Sequence, residues 1–309
     1  MKAIFYNLLA WAILPFMDTI AKYLSNELSF FQITWARYFF TVFFTLPFMF
    51  FFFRKNLTWS SQPKLQIFRG LTLFFANILF FYSISIISMA KALTLAFVAP
   101  LITTALSPIF LGEKVGIRRW LAIIVGFIGV YIVLNPNFEN FDYTKLAPVA
   151  CALFYAISMT ITKITSDKDS VYSQMFHLYI GAIGISIIFF IFTGKGQFNT
   201  FSDPTLQFIL REWFTNPTYS WPFILIMGLV ASLSFYFVFS AYSIASPSVV
   251  SLFEYSLIIW AIIIGYLLFN DIPTVRTFIG VALIIGAGVY IYIREKAKDQ
   301  MIASDTPNR

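Results

Sequence analysis

The sequence predicts an all-α membrane protein with ten transmembrane helices in two inverted five-helix repeats. Three observations lead there: a succession of long apolar runs, a lysine and arginine distribution that favours every second connection, and a similarity between the two halves of the chain. Of the 309 residues, 59% are hydrophobic and 11% are charged, where a soluble domain carries about 25% charge. A chain this apolar cannot hide its surface inside one water-soluble globule.

A helix needs about 20 mostly apolar residues to cross the hydrocarbon core of a bilayer. Ten such stretches are found, beginning with residues 3–23. This first one superficially resembles a secretory leader, but it continues through Tyr23 without a small-residue cleavage site, so it is read as a span. The second, 30–53, is dominated by phenylalanine and carries Arg37. The third and fourth, 69–88 and 90–111, are almost contiguous; Pro100 and Pro108 are expected to kink the fourth, as Pro15 is the first. The fifth, 118–134, begins with two arginines and ends glycine-rich. The sixth and seventh are 146–164 and 172–193. The longest connection follows, and within it 204–214 (PTLQFILREWF) reads either as an interfacial amphipathic turn or as an ordinary loop with an apolar patch. The eighth, ninth and tenth are 221–242, 246–269 and 275–293, and 301–309 reads as a disordered tail. A spanning segment must satisfy its backbone polar groups internally. These runs are too long and too uniformly apolar for barrel strands, which alternate with period two.

Orientation follows from the basic residues. With the N-terminus in the cytoplasm, the inside segments carry Lys2, Arg54, Lys55, Lys64, Arg69, Lys114, Arg118, Arg119, Lys163, Lys168, Arg294, Lys296, Lys298 and Arg309. The outside segments carry only Lys22, Lys91, Lys145, Lys195, Arg211 and Arg276. Both termini are therefore expected to be cytoplasmic. The net charge of +7 comes in short clusters between apolar runs, not as the basic face that nucleic acid requires. One cysteine, Cys151, excludes a disulfide framework and a cysteine metal site. No metal and no cofactor is expected. The phenylalanine-, isoleucine- and lysine-rich usage points to a bacterial inner membrane. The Asn56-Leu-Thr58 sequon falls on the cytoplasmic side and is discounted.

Shifted by 158 positions, the third to fifth helices meet the eighth to tenth: Gly70 meets Gly228, Ser85 and Ser88 meet Ser243 and Ser246, and Arg118 meets Arg276. FLGE at 110–113 meets LFND at 268–271, and after a one-residue slip GVYI at 129–132 meets GVYI at 288–291. Shifted by 141, TIAK at 19–22 meets TITK at 160–163. The division expected is 1–136 for the first repeat, 137–293 for the second and 294–309 for a cytoplasmic tail. Five spans per half is odd, so the second half enters from the opposite side, as in many secondary transporters.

The stretches PLITTALSPIFLGEKVGIRRWLAIIVGFIGVYIVL at 100–134 and FEYSLIIWAIIIGYLLFNDIPTVRTFIGVALIIGAGVYI at 253–291 share a pattern of helix, acidic turn, basic helix start and glycine-rich last helix. On that pattern the chain resembles the drug/metabolite transporter superfamily, specifically its EamA-type ten-span members, over nearly its whole length. MDTIAKYL at 17–24 and FRGLTLFF at 68–75 are similar to the branch containing S-adenosylmethionine uptake carriers, and FEYSLIIW at 253–260 to carriers that include riboflavin importers. The two resemblances do not select one substrate. The inverted repeat points to alternating access around a central site; active transport would need an ion or proton gradient or exchange, with uniport as the alternative, in a monomer or homodimer.

Ionisable groups inside spans cost about 2.5–3.5 kcal/mol on insertion scales, which makes them candidates for function. The repeat grades them. Lys22 recurs as Lys163, and Glu113 as Asp271, so these are assigned to the fold. Glu254 faces Ala96 in the repeat and has no charge within a turn in its helix, which makes it the first candidate for substrate or proton binding. Asp18 faces Met159; it lies about 8 Å from the outer end of helix 1 at 1.5 Å per residue. Arg37 lies about 10 Å deep in helix 2 from the same side. The two are read either as a static ion pair that locks the fold or as a site in which Arg37 binds an anionic group and Asp18 an amine or proton. Tyr255 and Tyr82 are neutral contacts. Lys91 is read as snorkelling to the headgroups. His177, assigned to the outer half of helix 7, is read as a hydrogen-bonded interior residue rather than a relay. Trp11, Trp35, Tyr82, Phe97 and Trp260 are candidates for stacking a planar or cationic substrate.

An intramembrane enzyme finds no support: HExxH, a cysteine–histidine set and GxSxG are missing from the sequence. A channel would want charge rings or a filter sequence, and a primary pump a GxxxxGK[ST] loop. The expectation is a secondary transporter for a small metabolite, importing or, as in amino-acid and drug exporters of the same family, exporting it.

Overall fold

In a computed structural model the residues described are 2–53, 59–110, 112, 115–135, 142–165, 168–169, 171–202, 204–214, 217–244, 256–270 and 272–304. Every regular element among them is helical. The helices are α1 (Lys2–Leu24), α2 (Phe30–Phe53), α3 (Pro63–Ile86), α4 (Met89–Ala96), α5 (Ala99–Phe110), α6 (Ile117–Leu134), α7 (Ala147–Thr165), α8 (Val171–Thr193), α9 (Pro204–Leu210), α10 (Pro217–Ile244), α11 (Ser256–Phe269) and α12 (Val275–Ser304), with a 3-10 turn at Tyr143–Leu146. Among the described residues seven segments are long and apolar enough to cross a membrane by length and composition, and Ser256–Leu268 is a shorter apolar helix. Helices α1 and α2, with 23 and 24 residues, are of spanning length as well. The chain is a multi-pass, all-α membrane protein.

Local signals fix the helix ends. Pro63 sits in the first turn of α3, where its missing N–H would have had no partner. Ser88 caps α4, its hydroxyl accepting from the Lys91 N–H. Helix α6 stops at Asn135, which takes the left-handed conformation at φ 44°. The fourth expected span is discontinuous: it breaks at Phe97–Val98, between α4 and α5. Pro100 has no N–H to give to the Ala96 carbonyl one turn back, so the break precedes the proline. Helix α5 restarts with the Leu101 and Ile102 N–H groups on the Val98 carbonyl, at 3.0 and 3.1 Å. Pro15 and Pro108 lie inside the continuous α1 and α5.

The packing is symmetric between the halves. Helix α1 packs on α10 as α3 packs on α7, α2 on α10 as α8 on α3, and α1 on α11 as α7 on α4 and α5. The pairs α6·α12, α2·α8 and α4·α11 join corresponding spans to each other. Exchanging the first five spans for the second five maps this set of contacts onto itself, which is the two-fold relation of inverted repeats. On the axis α6 and α12 touch backbone to backbone. A Cβ on Gly129 would stand 3.0 Å from the Gly280 carbonyl oxygen, and one on Gly280 would stand 2.9 Å from that of Gly129. Small residues allow such approach where no hydrophobic effect drives helices together. The outward side of α6 presents Leu121, Ile124, Phe127, Ile128 and Tyr131, exposed as a lipid-facing surface requires.

Residues 204–214 are not an ordinary loop: Pro204–Leu210 form the two-turn helix α9. Phe208 and Trp213 are buried in the main core cluster, and Phe208 meets Phe30 edge to face. Arg211 Nη1 donates to the Ser25 and Leu28 carbonyls, and the Phe214 N–H to Gln32 Oε1. The segment caps the end of α1 and the start of α2, because its apolar side chains find protein rather than lipid beneath them. The C-terminal segment, expected to be disordered from 301, is helical to Ser304. The REKAKDQ stretch holds mostly good helix formers and no glycine or proline to stop α12. Residues 305–309 lie outside the described residues.

Candidate functional site

Helix α1 carries Asp18 into the interior between the buried Met17 and Ala21, and the residue is only 4% exposed. Its carboxyl has no hydrogen bond and no ion pair among the described residues. Arg37 of α2 and Cys151 of α7 lie within electrostatic reach of it. The static Asp18–Arg37 ion pair, one of the two alternatives read from the sequence, does not form. Arg37 is held elsewhere, donating from Nη1 to Asn77 Oδ1 of α3 at 2.8 Å. Its guanidinium carbon lies 5.7 Å from the Tyr38 ring centre and 5.6 Å from that of Phe81. Asn77 Nδ2 donates to the Tyr38 hydroxyl at 2.6 Å and to the Leu73 carbonyl at 2.8 Å. Tyr38 in turn meets Tyr179 of α8, ring centres 6.3 Å apart. The Asp18 carboxyl and the Arg37 guanidinium thus stand in the same interior without a hydrogen bond or ion pair between them, each on its own helix.

Several aromatic candidates pack on the core that these helices share. Trp11 Nε1 donates to Asn7 Oδ1 at 2.9 Å, fixing the indole one turn along α1. Trp11, Trp35 and Phe97 pack against the main core cluster, and Phe97 stands at the break between α4 and α5. Tyr82 is half-buried on α3. Trp260 is 38% exposed on α11. Glu254 and Tyr255 lie outside the described residues.

A second polar cluster lies at the end that the charge rule assigns to the cytoplasm. Asp169, between α7 and α8, accepts hydrogen bonds from Ser60 Oγ, from the Ser61 N–H at 2.8 Å, from Ser61 Oγ at 3.0 Å and from Gln66 Nε2 at 2.9 Å. Burial pushes its carboxyl up, but these bonds outweigh burial and hold it at about 2. His177 Nδ1 lies 2.7 Å from the Ser173 carbonyl, and Nε2 faces the Ser60 N–H at 3.5 Å. The ring packs edge to face on Trp59. This corrects the placement of His177 in the outer half of its helix: α8 enters from the Ser60 end, so the residue is close to that end. The ring is hydrogen-bonded, as expected, but half-buried rather than interior.

Sequence reasoning nominated Asp18 and Arg37 but missed Asn77, Tyr38, Asn7 and Asp169. The signal for Asn77 was available, because an asparagine inside FFANILFF must find partners in an apolar span.

The sequence model of the EamA-like transporter family matches residues 1–135 and 145–293. An S-adenosylmethionine uptake transporter of Rickettsia bellii is 30% identical over 279 residues, 90% of this chain and 89% of its own. Its counterpart in Rickettsia conorii is 29% identical over 90% of this chain and 88% of its own. A riboflavin transporter of Vibrio cholerae is 28% identical over 68% of this chain and 64% of its own. A protein of known crystal structure superposes with a TM-score of 0.59 at 16% identity, over 93% of each chain, which shows the fold alone.

Proposed function

We propose, since this chain belongs to the EamA-like transporter family, that it takes up S-adenosylmethionine. It is a multi-pass membrane transporter for a small organic metabolite, and not an enzyme. The observation that carries the substrate reading is the Asp18 carboxyl, buried in the bundle and without a hydrogen bond or ion pair among the described residues. Leaving an ionised carboxylate unpaired in a membrane interior costs several kcal/mol, and a bound cation offsets that cost. S-adenosylmethionine brings a sulfonium and an ammonium as cations, a carboxylate for Arg37 and an adenine ring for aromatic side chains. The segments 17–24 and 68–75, which resemble that branch, flank this site, and relatives of that name match along 90% of the chain.

In this reading the repeats 1–136 and 137–293 enclose a site near the midplane and expose it to one side at a time. Glu254 joins Asp18 in meeting the cationic groups, and Tyr255 and Tyr82 supply neutral contacts. Exchange against a counter-substrate or a proton drives the cycle, with both termini in the cytoplasm of a bacterial cell and the helices in its inner membrane.

The test is uptake of labelled S-adenosylmethionine into proteoliposomes holding the purified protein. Saturable uptake is expected, blocked by unlabelled S-adenosylmethionine and far less by S-adenosylhomocysteine, which lacks the sulfonium charge, or by riboflavin. Asp18→Asn should fold and insert but fail to accumulate substrate. Uptake that riboflavin blocks and S-adenosylmethionine does not, or an Asp18→Asn protein as active as the wild type, would overturn the reading.

A further inference from the structure

Arg37 is fixed in place without being used up. Asn77 grips one of its nitrogens, and the Tyr38 and Phe81 rings bracket the guanidinium at 5.7 and 5.6 Å. The Asn77 amide has only one orientation open to it. Its nitrogen is committed to the Tyr38 hydroxyl and the Leu73 carbonyl, so its oxygen faces the arginine. No other hydrogen bond and no ion pair reaches Arg37 among the described residues, and the side chain is half-buried rather than sealed off. A guanidinium carries five N–H donors in a planar fork. Among the described residues most of that fork is therefore unpartnered, although a carboxylate, Asp18, lies within electrostatic reach and is not brought into contact. An arginine serving the fold alone is expected to have its remaining donors met by protein acceptors, because an uncompensated buried charge is costly.

We infer that Arg37, aimed by Asn77 and bracketed by Tyr38 and Phe81, reads the carboxylate of the substrate's amino-acid end, with Asn77 as its positioning residue. The inference rests on the uptake reading above and adds a selectivity to it: the carrier distinguishes an amino-acid substrate from its decarboxylated counterpart. The planar fork takes a carboxylate through two parallel bonds, and a substrate without one leaves the guanidinium unpaired. Losing such a charged contact costs about 1.5–3 kcal/mol, or about ten- to a hundredfold in affinity.

The experiment compares binding of S-adenosylmethionine and of decarboxylated S-adenosylmethionine to the purified wild type, to Asn77→Asp and to Arg37→Lys. Asn77→Asp is close in shape and places a carboxylate against Arg37, occupying the fork from within. Melting temperature is followed alongside, and Arg37→Lys, which keeps the charge but loses the fork, gives a second reading should Asn77→Asp fold poorly. The wild type is expected to favour S-adenosylmethionine by about tenfold or more. Both variants should erase that preference by weakening S-adenosylmethionine while changing the decarboxylated compound little. Equal binding of the two compounds by the wild type, or a preference that survives both substitutions, overturns the carboxylate inference and leaves the uptake reading intact. A wild type that melts as a folded protein and binds neither compound overturns the uptake reading, and this inference with it.

Discussion

Replacing Asp169 with asparagine tests the hydrogen-bonded cluster that joins the α2–α3 connection to the start of α8. The carboxylate accepts from Ser60 Oγ, the Ser61 N–H and hydroxyl, and Gln66 Nε2. An amide of the same shape turns an N–H2 toward some of those donors. The carboxyl is held at about 2 against an ordinary value of 3.8. A displacement of that size corresponds to about 2.5 kcal/mol in full. The connection lies at a membrane face where water screens charge, so about 1–1.5 kcal/mol is the expected share. The sign follows from the depressed value. The contribution is complete above the ordinary carboxyl range and is lost as pH falls from about 4 through about 2. Thermal unfolding of the detergent-solubilised protein, followed by tryptophan fluorescence, measures it. Asp169→Asn should melt a few degrees below the wild type at neutral pH, and the gap should close as the solution is taken to about pH 2. A variant as stable as the wild type at neutral pH, or a gap that persists in acid, would refute the reasoning.

Three further outcomes are expected. Gly280→Leu should abolish folded yield in membranes, because its Cβ would stand 2.1 Å from Val133 Cγ2 and 2.9 Å from the Gly129 carbonyl oxygen; detergent size-exclusion profiles check this. Trp213→Ala should cost about 3 kcal/mol, as truncations of buried aromatics do, and show as a lowered melting temperature. Arg211→Gln should cost about 1 kcal/mol, since its bonds to the Ser25 and Leu28 carbonyls are long, at 3.3 and 3.4 Å; the same melting assay resolves the difference from Trp213→Ala.

The spans were legible because hydrocarbon thickness imposes a length on apolar runs, and nothing else in this composition competes with that signal. Proline announced the irregularity in the fourth span, but the break falls at Phe97–Val98, where a carbonyl loses its donor, rather than at Pro100 itself. The 204–214 segment was ambiguous because an apolar patch in a loop looks the same whether it faces lipid or protein. Only the partners Phe30, Ser25, Leu28 and Gln32 decide it. In the candidate site, charge made Asp18 and Arg37 visible, and depth placed them at the same level. Whether they touch depends on helix rotation, which no residue count supplies. Asn77 was overlooked because it bears no charge, although it decides where the guanidinium sits.

The cross-half packing has a bearing on how the protein is made. The principal partner of α1 is α10 and that of α3 is α7, so the first half leaves the ribosome with its main contact faces still waiting for helices not yet synthesised. During that interval Asp18 and Arg37 lie in spans whose neighbours are lipid or the insertion machinery. Contacts so distant in sequence form late and slowly, and each half alone would leave those faces uncovered. Biogenesis is then a single commitment made when the eighth span arrives, and a chain truncated before Pro217 is a natural substrate for membrane quality control.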